Sequence, residues 1–494
     1  MARALVFVWT AVLIIFIVSS AASAAPPSSA VVVQDHTALR AAPRDSAQQQ
    51  AVLWAGDVVE VRAERMDYLQ VWDHRRERGG FVRASHVRRT SLTPAEAPEL
   101  LSVVRFVRDT TGAEALGIGL VAAYIQAAPA DVLNGIAGVE ALDALGTMAD
   151  RLARRASSSN LSKPAQERLS AHLEVAARHG VKFTTLEREG RMQVCYDGDA
   201  FRRVLAMQSN AEQRARAVLA LTRQECVDPD SSPLDRARLD EWRAEVLDRV
   251  DAAALPTYLR NRVHMRRAGV WSSIAYARTR KGETAGAAAT RPLTELAAVN
   301  RAELTDEDAA AYNEAAMRVG AARWAALPNV AQPGRRIGVA TAAGQPGETC
   351  LMLVDERRDA SNPLAKRCTY GIVWLNSASL NREGNTLAIS VQQTESWLEL
   401  WIFRRTSEGW TLSVLPPAAT TPALGYAEFA GWVPGGRQML VAREFRSEGR
   451  YRLSFEVMRV DTLTAERQAG DASILGAFQR WRDPSWKRQT VSLR

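Results

Sequence analysis

The hydrophobic periodicity of this chain changes twice, and this feature constrains the fold most strongly. Residues 31–91 contain short apolar runs about ten residues apart, separated by turn signals, which is typical of antiparallel strands. Residues 92–333 show the spacing of amphipathic helices, and residues 334–494 return to strands. A chain of 494 residues is also too long for one hydrophobic core. The sequence therefore predicts a multidomain α+β protein: a small N-terminal β-barrel, a central all-helical region and a C-terminal antiparallel β region.

The first 24 residues indicate the compartment. Arg3 precedes an apolar run from Ala4 to Val18, and small residues follow as far as Ala22–Ser23–Ala24. An apolar run of about 15 residues is shorter than a membrane span requires. The pattern predicts a cleaved signal peptide over residues 1–24 and a linker over 25–30, with an uncleaved N-terminal anchor as the alternative. We therefore expect a periplasmic or secreted product with no membrane span after cleavage.

The chain contains four cysteines, which are Cys195, Cys226, Cys350 and Cys368. An even number of cysteines in an oxidising compartment suggests two disulfides, although four cysteines allow three pairings. We favour Cys195–Cys226 and Cys350–Cys368, because each pair lies within one proposed domain. Four buried thiols are the alternative. No C-x-x-C spacing occurs, so neither a zinc ribbon nor a thioredoxin-type motif is indicated.

The N-terminal β segment carries four short motifs in a fixed order. They are Leu39–Arg40 before Pro43, Gly56–Asp57 before Val58–Val59, the aromatic strand Tyr68–Leu69–Gln70–Val71, and Gly80–Phe81–Val82. This ordered series resembles the bacterial SH3 (SH3b) domain family. The resemblance implies a small SH3-type β-barrel that binds cell-wall peptide or another protein. The chain as a whole resembles exported SH3 domain-containing proteins.

Tyr68, Trp72 and Trp54 are the candidate ligand-binding residues of this module. Exposed aromatic rings on the rim of a barrel stack on extended ligands at low entropy cost. Strand alternation puts Tyr68 and Trp72 on one face and Leu69 and Val71 on the other, which favours outward-facing rings. The alternative is that the rings fill the core of the barrel.

The central region shows well-marked helix starts but no fixed repeat. Thr93–Pro94 and Ser232–Pro233 place a capping residue before a proline at the first helical position. A β-hairpin is predicted near residues 181–195. The G-x-G-x-x-A sequence at 117–122 follows no strand, so it indicates close helix packing rather than a dinucleotide site. Such a helical region either presents surfaces to partners or separates two β modules.

The C-terminal region contains an internal repeat. Residues 378–391 align with residues 430–443, so that Gly384 matches Gly436 at a period of 52, and a second strand follows each copy. This pattern resembles blades of TolB-like β-propellers. A closed propeller typically needs at least four blades, and this region holds about three. We therefore expect a sheet array or small sandwich, with an incomplete propeller as the alternative.

The chemistry-bearing motifs of common enzymes are absent from the sequence. No G-x-S-x-G, H-E-x-x-H or Walker loop occurs, and no cofactor or metal site is indicated. The net charge of +8 comes from arginines that are mostly interleaved with acids, which is typical of solvated surface. A denser arginine cluster over residues 75–89 is suited to an anionic envelope polymer.

These observations predict a non-catalytic envelope protein that binds or scaffolds. Its expected partners are a cell-wall peptide or glycan, or an envelope protein, and nucleic acid is not expected outside the cytoplasm. The alternative is a cell-wall hydrolase that the SH3-type domain targets, with an unrecognised catalytic domain within residues 94–330.

Overall fold

The computed structural model describes residues 28–158, 161–188, 190–327, 337–418, 424–447 and 450–489. The predicted signal peptide and most of the linker lie outside these residues. Within them the chain is a mixed α/β protein with an N-terminal antiparallel sheet, central helices and C-terminal sheets, in the order that the sequence predicts. Among the described residues the N-terminal sheet is not closed into the predicted barrel, and the C-terminal sheets are antiparallel except at one strand pair. No helix of the described residues is both long and apolar enough to cross a bilayer.

The chain forms two compact units. The first comprises the chain up to Ala130 together with Ser170–Gly180, and the second comprises Asp131–Leu169 and the chain from Val181 onward. The domain boundaries that the sequence suggests at residues 91 and 333 stay predictions.

Seven short strands form the sheet of the first unit. They are β1 (Ser28–Val32), β2 (Thr37–Arg40), β3 (Gln49–Leu53), β4 (Val58–Arg65), β5 (Tyr68–Asp73), β6 (Arg78–Arg83) and β7 (Val87–Thr90). Their order is β3-β2-β6-β5-β4-β1-β7, and every pairing is antiparallel. Leu69 and Val71 are fully buried in the core of this sheet, on the face that strand alternation assigns to them.

Two helices and part of a third complete the first unit. They are α1 (Ala97–Arg108), α2 (Glu114–Ala127) and residues Ser170 onward of the later helix Lys163–Arg178. A Cβ atom at Gly119 of α2 would lie 2.7 Å from the backbone oxygen of Gly56, and one at Gly56 would lie 2.3 Å from the backbone oxygen of Ala115. The glycine motif at 117–122 therefore allows two backbones to approach closely, as expected.

The helical part of the second unit begins at Asp131. Its helices are α3 (Ala130–Leu133), α4 (Ile136–Ala156), α5 (Lys163–Arg178, as far as Leu169), α6 (Asp199–Ala206), α7 (Ala211–Leu221), α8 (Pro233–Asp248), α9 (Thr257–Arg280), α10 (Gly286–Ala297) and α11 (Asp306–Ala322). The predicted hairpin is confirmed as β8 (Phe183–Arg188) and β9 (Arg191–Tyr196), which pair antiparallel. Cys195 on β9 lies at disulfide distance from Cys226, which ends the short turn Gln224–Cys226.

Two sheets follow the helices. The first contains β10 (Ile337–Ala343), β11 (Thr349–Asp355) and β12 (Ala365–Thr369), with Cys350 and Cys368 at disulfide distance. The second is eight-stranded and contains β13 (Ile372–Leu380), β14 (Thr386–Thr394), β15 (Trp397–Thr406), β16 (Gly409–Leu415), β17 (Gly425–Trp432), β18 (Gln438–Ser447), β19 (Arg450–Arg459) and β20 (Ala465–Ala469). The short helices α12 (Gly476–Trp481) and α13 (Pro484–Gln489) come last.

The internal repeat has a structural counterpart in the eight-stranded sheet. Gly384 and Gly436 occupy equivalent turns before β14 and β18, with φ of 69° and 67°. This left-handed conformation favours glycine, which explains why both copies keep one there. The two halves share one hydrogen-bonded sheet, because β15 pairs parallel with β17 at Trp397–Gly425 and Leu398–Tyr426.

Candidate functional site: an arginine-lined cavity

A cavity of about 610 Å³ lies within the second unit. This volume is in the range of pockets that hold small organic molecules. The lining includes eight arginines, which are Arg151, Arg154, Arg216, Arg243, Arg262, Arg266, Arg318 and Arg446. It also includes five acidic residues, which are Asp150, Glu225, Glu307, Asp308 and Glu314. Apolar side chains, among them Phe201, Leu259 and Met265, complete the wall. The cavity therefore combines an unusually cationic lining with apolar surface.

Helical periodicity brings these residues together. Residues three or four apart on a helix lie on one face, so each helix contributes a stripe to the wall. The stripe on α9 includes Arg262, Met265, Arg266, Gly269 and Val270, and the stripe on α11 includes Asp308, Ala311, Ala315 and Arg318. The turn Gln224–Cys226 closes one side with Gln224 and Glu225.

Most of the lining arginines are bound to carboxylates. The pairs are Arg154 with Asp150 at 2.8 Å, Arg216 with Asp143 at 2.8 Å, Arg243 with Asp240 at 2.6 Å, Arg262 with Asp308 at 2.7 Å, and Arg318 with Glu395 at 2.8 Å. Removing two charges from water is costly unless they pair and form further hydrogen bonds. These pairs therefore let arginines line a partly dry cavity.

Arg266 differs from these neighbours. Its Nη1 donates a hydrogen bond to the backbone oxygen of Thr222 at 2.5 Å, and the side chain is half-buried. In the part of the chain that the structure describes, no carboxylate oxygen lies within 4.0 Å of its guanidinium nitrogens. Burial lowers the pKa of Arg266 to about 10, with Glu225 opposing this shift and neighbouring arginines adding to it. The site thus holds a guanidinium cation that forms no ion pair within 4.0 Å with any residue that the structure describes.

Glu225 is the carboxylate that acts on Arg266 from beyond ion-pair distance. Its Oε1 lies 3.9 Å from Nε of Arg223. Burial alone would raise the pKa of Glu225, but the positive charges of Arg266 and Arg223 outweigh burial and lower it to about 2. Glu225 is therefore ionised at neutral pH and offers no proton for general acid catalysis.

The sequence-predicted aromatic residues lie elsewhere, in the first unit. Tyr68 is buried rather than outward and exposed, because its hydroxyl donates to Asp45 Oδ1 at 2.5 Å and Arg83 covers its ring at 5.5 Å. Hydrogen bonds from Arg83 and then Tyr68 lower the pKa of Asp45, and the bond to Asp45 raises the pKa of Tyr68. Trp72 is half-buried, with the Arg62 guanidinium 4.5 Å above its ring.

Trp54 is also half-buried, and its ring packs between two histidines. The ring centroid of His36 lies 4.3 Å away, and that of His172 lies 6.2 Å away in an edge-on arrangement. Trp54 is therefore part of the contact between the sheet and the segment Ser170–Gly180. Among the described residues, the rings of Trp54, Trp72 and Tyr68 do not contact one another.

The predicted arginine cluster of residues 75–89 forms ion pairs and hydrogen bonds within the first unit. The pairs join Arg75 to Glu174, Arg76 to Asp73, Arg83 to Asp45, Arg88 to Glu99 and Arg89 to Glu64, and Arg78 donates to the backbone oxygen of Gln50. These partners reduce the positive field that the cluster presents to an external polymer.

One group of potential metal ligands occurs in the described residues. The ligand atoms of Glu348, Cys350 and Cys368 lie within 4.8 Å of one another. Metals bind thiolates, whereas these two sulfurs lie at disulfide distance from each other. The group is therefore read as a disulfide with a neighbouring carboxylate.

The sequence reasoning missed the cavity because it treated interleaved arginines as solvated surface. That interpretation is wrong for Arg243, Arg318 and Arg223, which are buried. The available signal was the spacing of Arg262 and Arg266 on the same helical face as Met265. The remaining lining residues come from segments far apart in the chain, so only the tertiary fold brings them together.

No protein-family model, curated protein or solved structure matches this chain. Its function is therefore argued from the geometry of the cavity.

Proposed function

We propose that this protein is a non-catalytic binding protein that takes an organic anion into the arginine-lined cavity. One observation carries the proposal: Arg266 is a half-buried cation in the cavity wall, and no carboxylate of the described residues lies within 4.0 Å of it. A bound oxyanion supplies the missing partner. Burial and then the neighbouring arginines lower the pKa of Arg266, so an added negative charge also relieves the repulsion between these cations.

The ligand class follows from the chemistry of the wall. A guanidinium group binds a carboxylate or phosphoryl group through two parallel hydrogen bonds, and charge-assisted hydrogen bonds are worth about 1.5–3 kcal/mol. Phe201, Leu259 and Met265 offer apolar surface for the rest of the molecule. The ligand is thus an amphipathic anion with an oxyanion head and an apolar body.

The hydrolase alternative finds less support in this cavity. General acid catalysis needs a carboxyl group whose pKa is raised toward neutrality. The pKa of Glu225 is lowered instead, and Asp150 and Asp308 are held by Arg154 and Arg262. Muropeptide release from purified peptidoglycan would support the hydrolase, and repeated failure to release it would remove that alternative.

The other proposals concern the whole chain. An SH3-type N-terminal module is supported by its short antiparallel strands around a leucine and valine core, and half-buried Trp72 is its best candidate contact for a cell-wall peptide or protein. Propeller-blade-like units are supported by the matching turns at Gly384 and Gly436. Export to the periplasm or beyond is supported by the two cysteine pairs at disulfide distance.

Calorimetric titration of the purified protein tests the proposed function. Phenylacetate and phenyl phosphate are the anionic probes, and phenylacetamide is the neutral control of similar shape. We expect both anions to bind at low ionic strength and phenylacetamide to bind at least about tenfold more weakly, because it lacks the charge that Arg266 needs. Equal heats from phenylacetate and phenylacetamide would contradict the proposal.

A further inference from the structure

The turn that carries Glu225 is tied to a separate element of the second unit. Cys226 ends the turn Gln224–Cys226, and its partner Cys195 is buried on β9 with a Cα–Cα distance of 5.8 Å. The β9 strand is itself anchored, because the backbone N–H of Val194 donates to Oγ of Ser157 at 2.9 Å. The disulfide therefore connects one wall of the cavity to a fixed hairpin.

A second and weaker tie acts on the same turn. Nη1 of Arg188 on β8 donates to the backbone oxygen of Gln224 at 2.9 Å. Both ties come from the hairpin, and both restrain the residues next to Glu225. The position of Glu225 thus depends on the hairpin as well as on its own turn.

The position of Glu225 matters because two arginines attract it. Its carboxylate lies 3.9 Å from Arg223 and outside the 4.0 Å limit from Arg266. The side chain has several rotatable bonds and is 46% exposed. A displaced turn would let Glu225 form an ion pair with Arg266. That carboxylate would then occupy the place of the ligand head group.

We propose that the Cys195–Cys226 disulfide is a positioning element for anion binding, because it holds Glu225 away from Arg266 and keeps that guanidinium available. This inference rests on the proposed function of the cavity. The disulfide contacts no ligand. It acts through the placement of Glu225 alone.

The test uses the variant Cys195→Ser/Cys226→Ser, with Cys350→Ser/Cys368→Ser as the matched control that removes the other disulfide. We expect the first variant to bind phenylacetate about tenfold more weakly, because an internal carboxylate competes for Arg266, and the control to bind like wild type. Adding Glu225→Gln to the first variant should bring its phenylacetate affinity to that of the Glu225→Gln single variant, because the competing carboxylate is then absent from both. Unchanged affinity in the first variant, or a triple variant that still binds more weakly than Glu225→Gln alone, would overturn the inference.

A second measurement separates this inference from the proposed function. Phenylglyoxal modifies accessible arginines, and peptide mass mapping reports the modification rate at Arg266 without any ligand. We expect slower modification of Arg266 in Cys195→Ser/Cys226→Ser than in wild type. If Arg266 is modified more slowly in the variant but wild type does not bind phenylacetate, the proposed function is refuted and the positioning role is supported. If the modification rate of Arg266 is the same in both proteins, the positioning role is refuted.

Arg188→Ala keeps the inference testable if the double serine variant does not fold. This substitution removes the weaker tie and leaves the disulfide in place. We expect a smaller loss of phenylacetate affinity in the same direction, and no loss when Arg188→Ala is introduced into the Glu225→Gln variant. The inference fails if the phenylacetate affinity and the modification rate of Arg266 in Arg188→Ala both equal those of wild type.

Discussion

Arg266 and Arg243 donate to the same acceptor, the backbone oxygen of Thr222. Nη1 of Arg266 lies 2.5 Å from this oxygen, and Nη2 of Arg243 lies 2.7 Å from it. Arg243 also pairs with Asp240, whereas Arg266 has no carboxylate within 4.0 Å among the described residues. The shared carbonyl therefore stays satisfied if Arg266 is replaced, which makes Arg266 a clean target for substitution.

Arg266→Gln should weaken anion binding strongly with little effect on folding. We expect phenylacetate affinity to fall at least about tenfold, because one charge-assisted contact is lost. Arg280→Gln, an exposed position at the end of the same helix, is the control for net charge and should bind like wild type. Calorimetry measures the affinities and thermal unfolding checks the fold. Equal losses in the two variants would show that Arg266 has no special role.

Glu225→Gln should strengthen anion binding. Removing a negative charge beside the guanidinium reduces repulsion of the incoming anion, and we expect affinity to rise about threefold to tenfold at low ionic strength. The same titration in about 0.5 M salt should show a smaller difference in affinity between Glu225→Gln and wild type, because salt screens the charges strongly at this concentration. Weaker binding by Glu225→Gln at both salt levels would contradict this electrostatic account.

Acid should destabilise the wild type more than Glu225→Gln. The pKa of Glu225 is lowered from 4.5 to about 2 in the folded protein, so its ionised form stabilises the fold above the unfolded value. That stability is lost as the pH falls from about 4.5 toward 2. Thermal unfolding midpoints across this range should decline more steeply for wild type. Parallel declines would show that Glu225 does not contribute.

Tyr68→Phe and Trp72→Ala should separate stability from binding in the N-terminal module. Loss of the hydrogen bond from Tyr68 to Asp45 should lower the free energy of unfolding and leave ligand binding unchanged. Trp72→Ala should reduce retention on purified peptidoglycan if the SH3-type module binds it. Retention of Trp72→Ala at the wild-type level would exclude this tryptophan as a contact.

Gly119→Ala should destabilise the first unit. The new methyl group would lie 2.7 Å from the backbone oxygen of Gly56, and such overpacking costs about 1–3 kcal/mol. Gly269→Ala on α9 is the matched control, because no atom of the described residues outside its own helix turn lies within 4 Å of its Cβ position, and alanine is favoured over glycine in a helix by about 0.5–1 kcal/mol. Denaturant unfolding should show a lower free energy of unfolding for Gly119→Ala and a higher one for Gly269→Ala than for wild type.

The sequence carries the local part of this fold. Leu69 and Val71 alternate with polar neighbours, which is enough to identify their buried face. The alignment of residues 378–391 with residues 430–443 places Gly384 opposite Gly436, and the structure gives both glycines the left-handed conformation that favours this residue. The close packing at Gly119 followed from a glycine motif without a preceding strand. Each of these signals lies within a few residues.

The candidate site depends on long-range contacts that local patterns do not encode. Arg318 and Glu395 are 77 residues apart, and Arg216 and Asp143 are 73 residues apart, yet each pair forms an ion pair. An arginine on a helix can face solvent or line a cavity. Carboxylate partners that are distant in sequence determine which of the two occurs. Tyr68 illustrates the same limit, because alternation alone placed its ring outward, whereas its hydroxyl donates to Asp45, 23 residues away, and the side chain is buried.

The join between the two halves of the C-terminal sheet has a mechanical consequence. Within each half, neighbouring strands are held by long antiparallel ladders, whereas β15 and β17 meet at two residue pairs. A ladder this short has few cooperative hydrogen bonds, so separation under load begins there rather than inside a half. Each half would then separate as an intact four-stranded sheet.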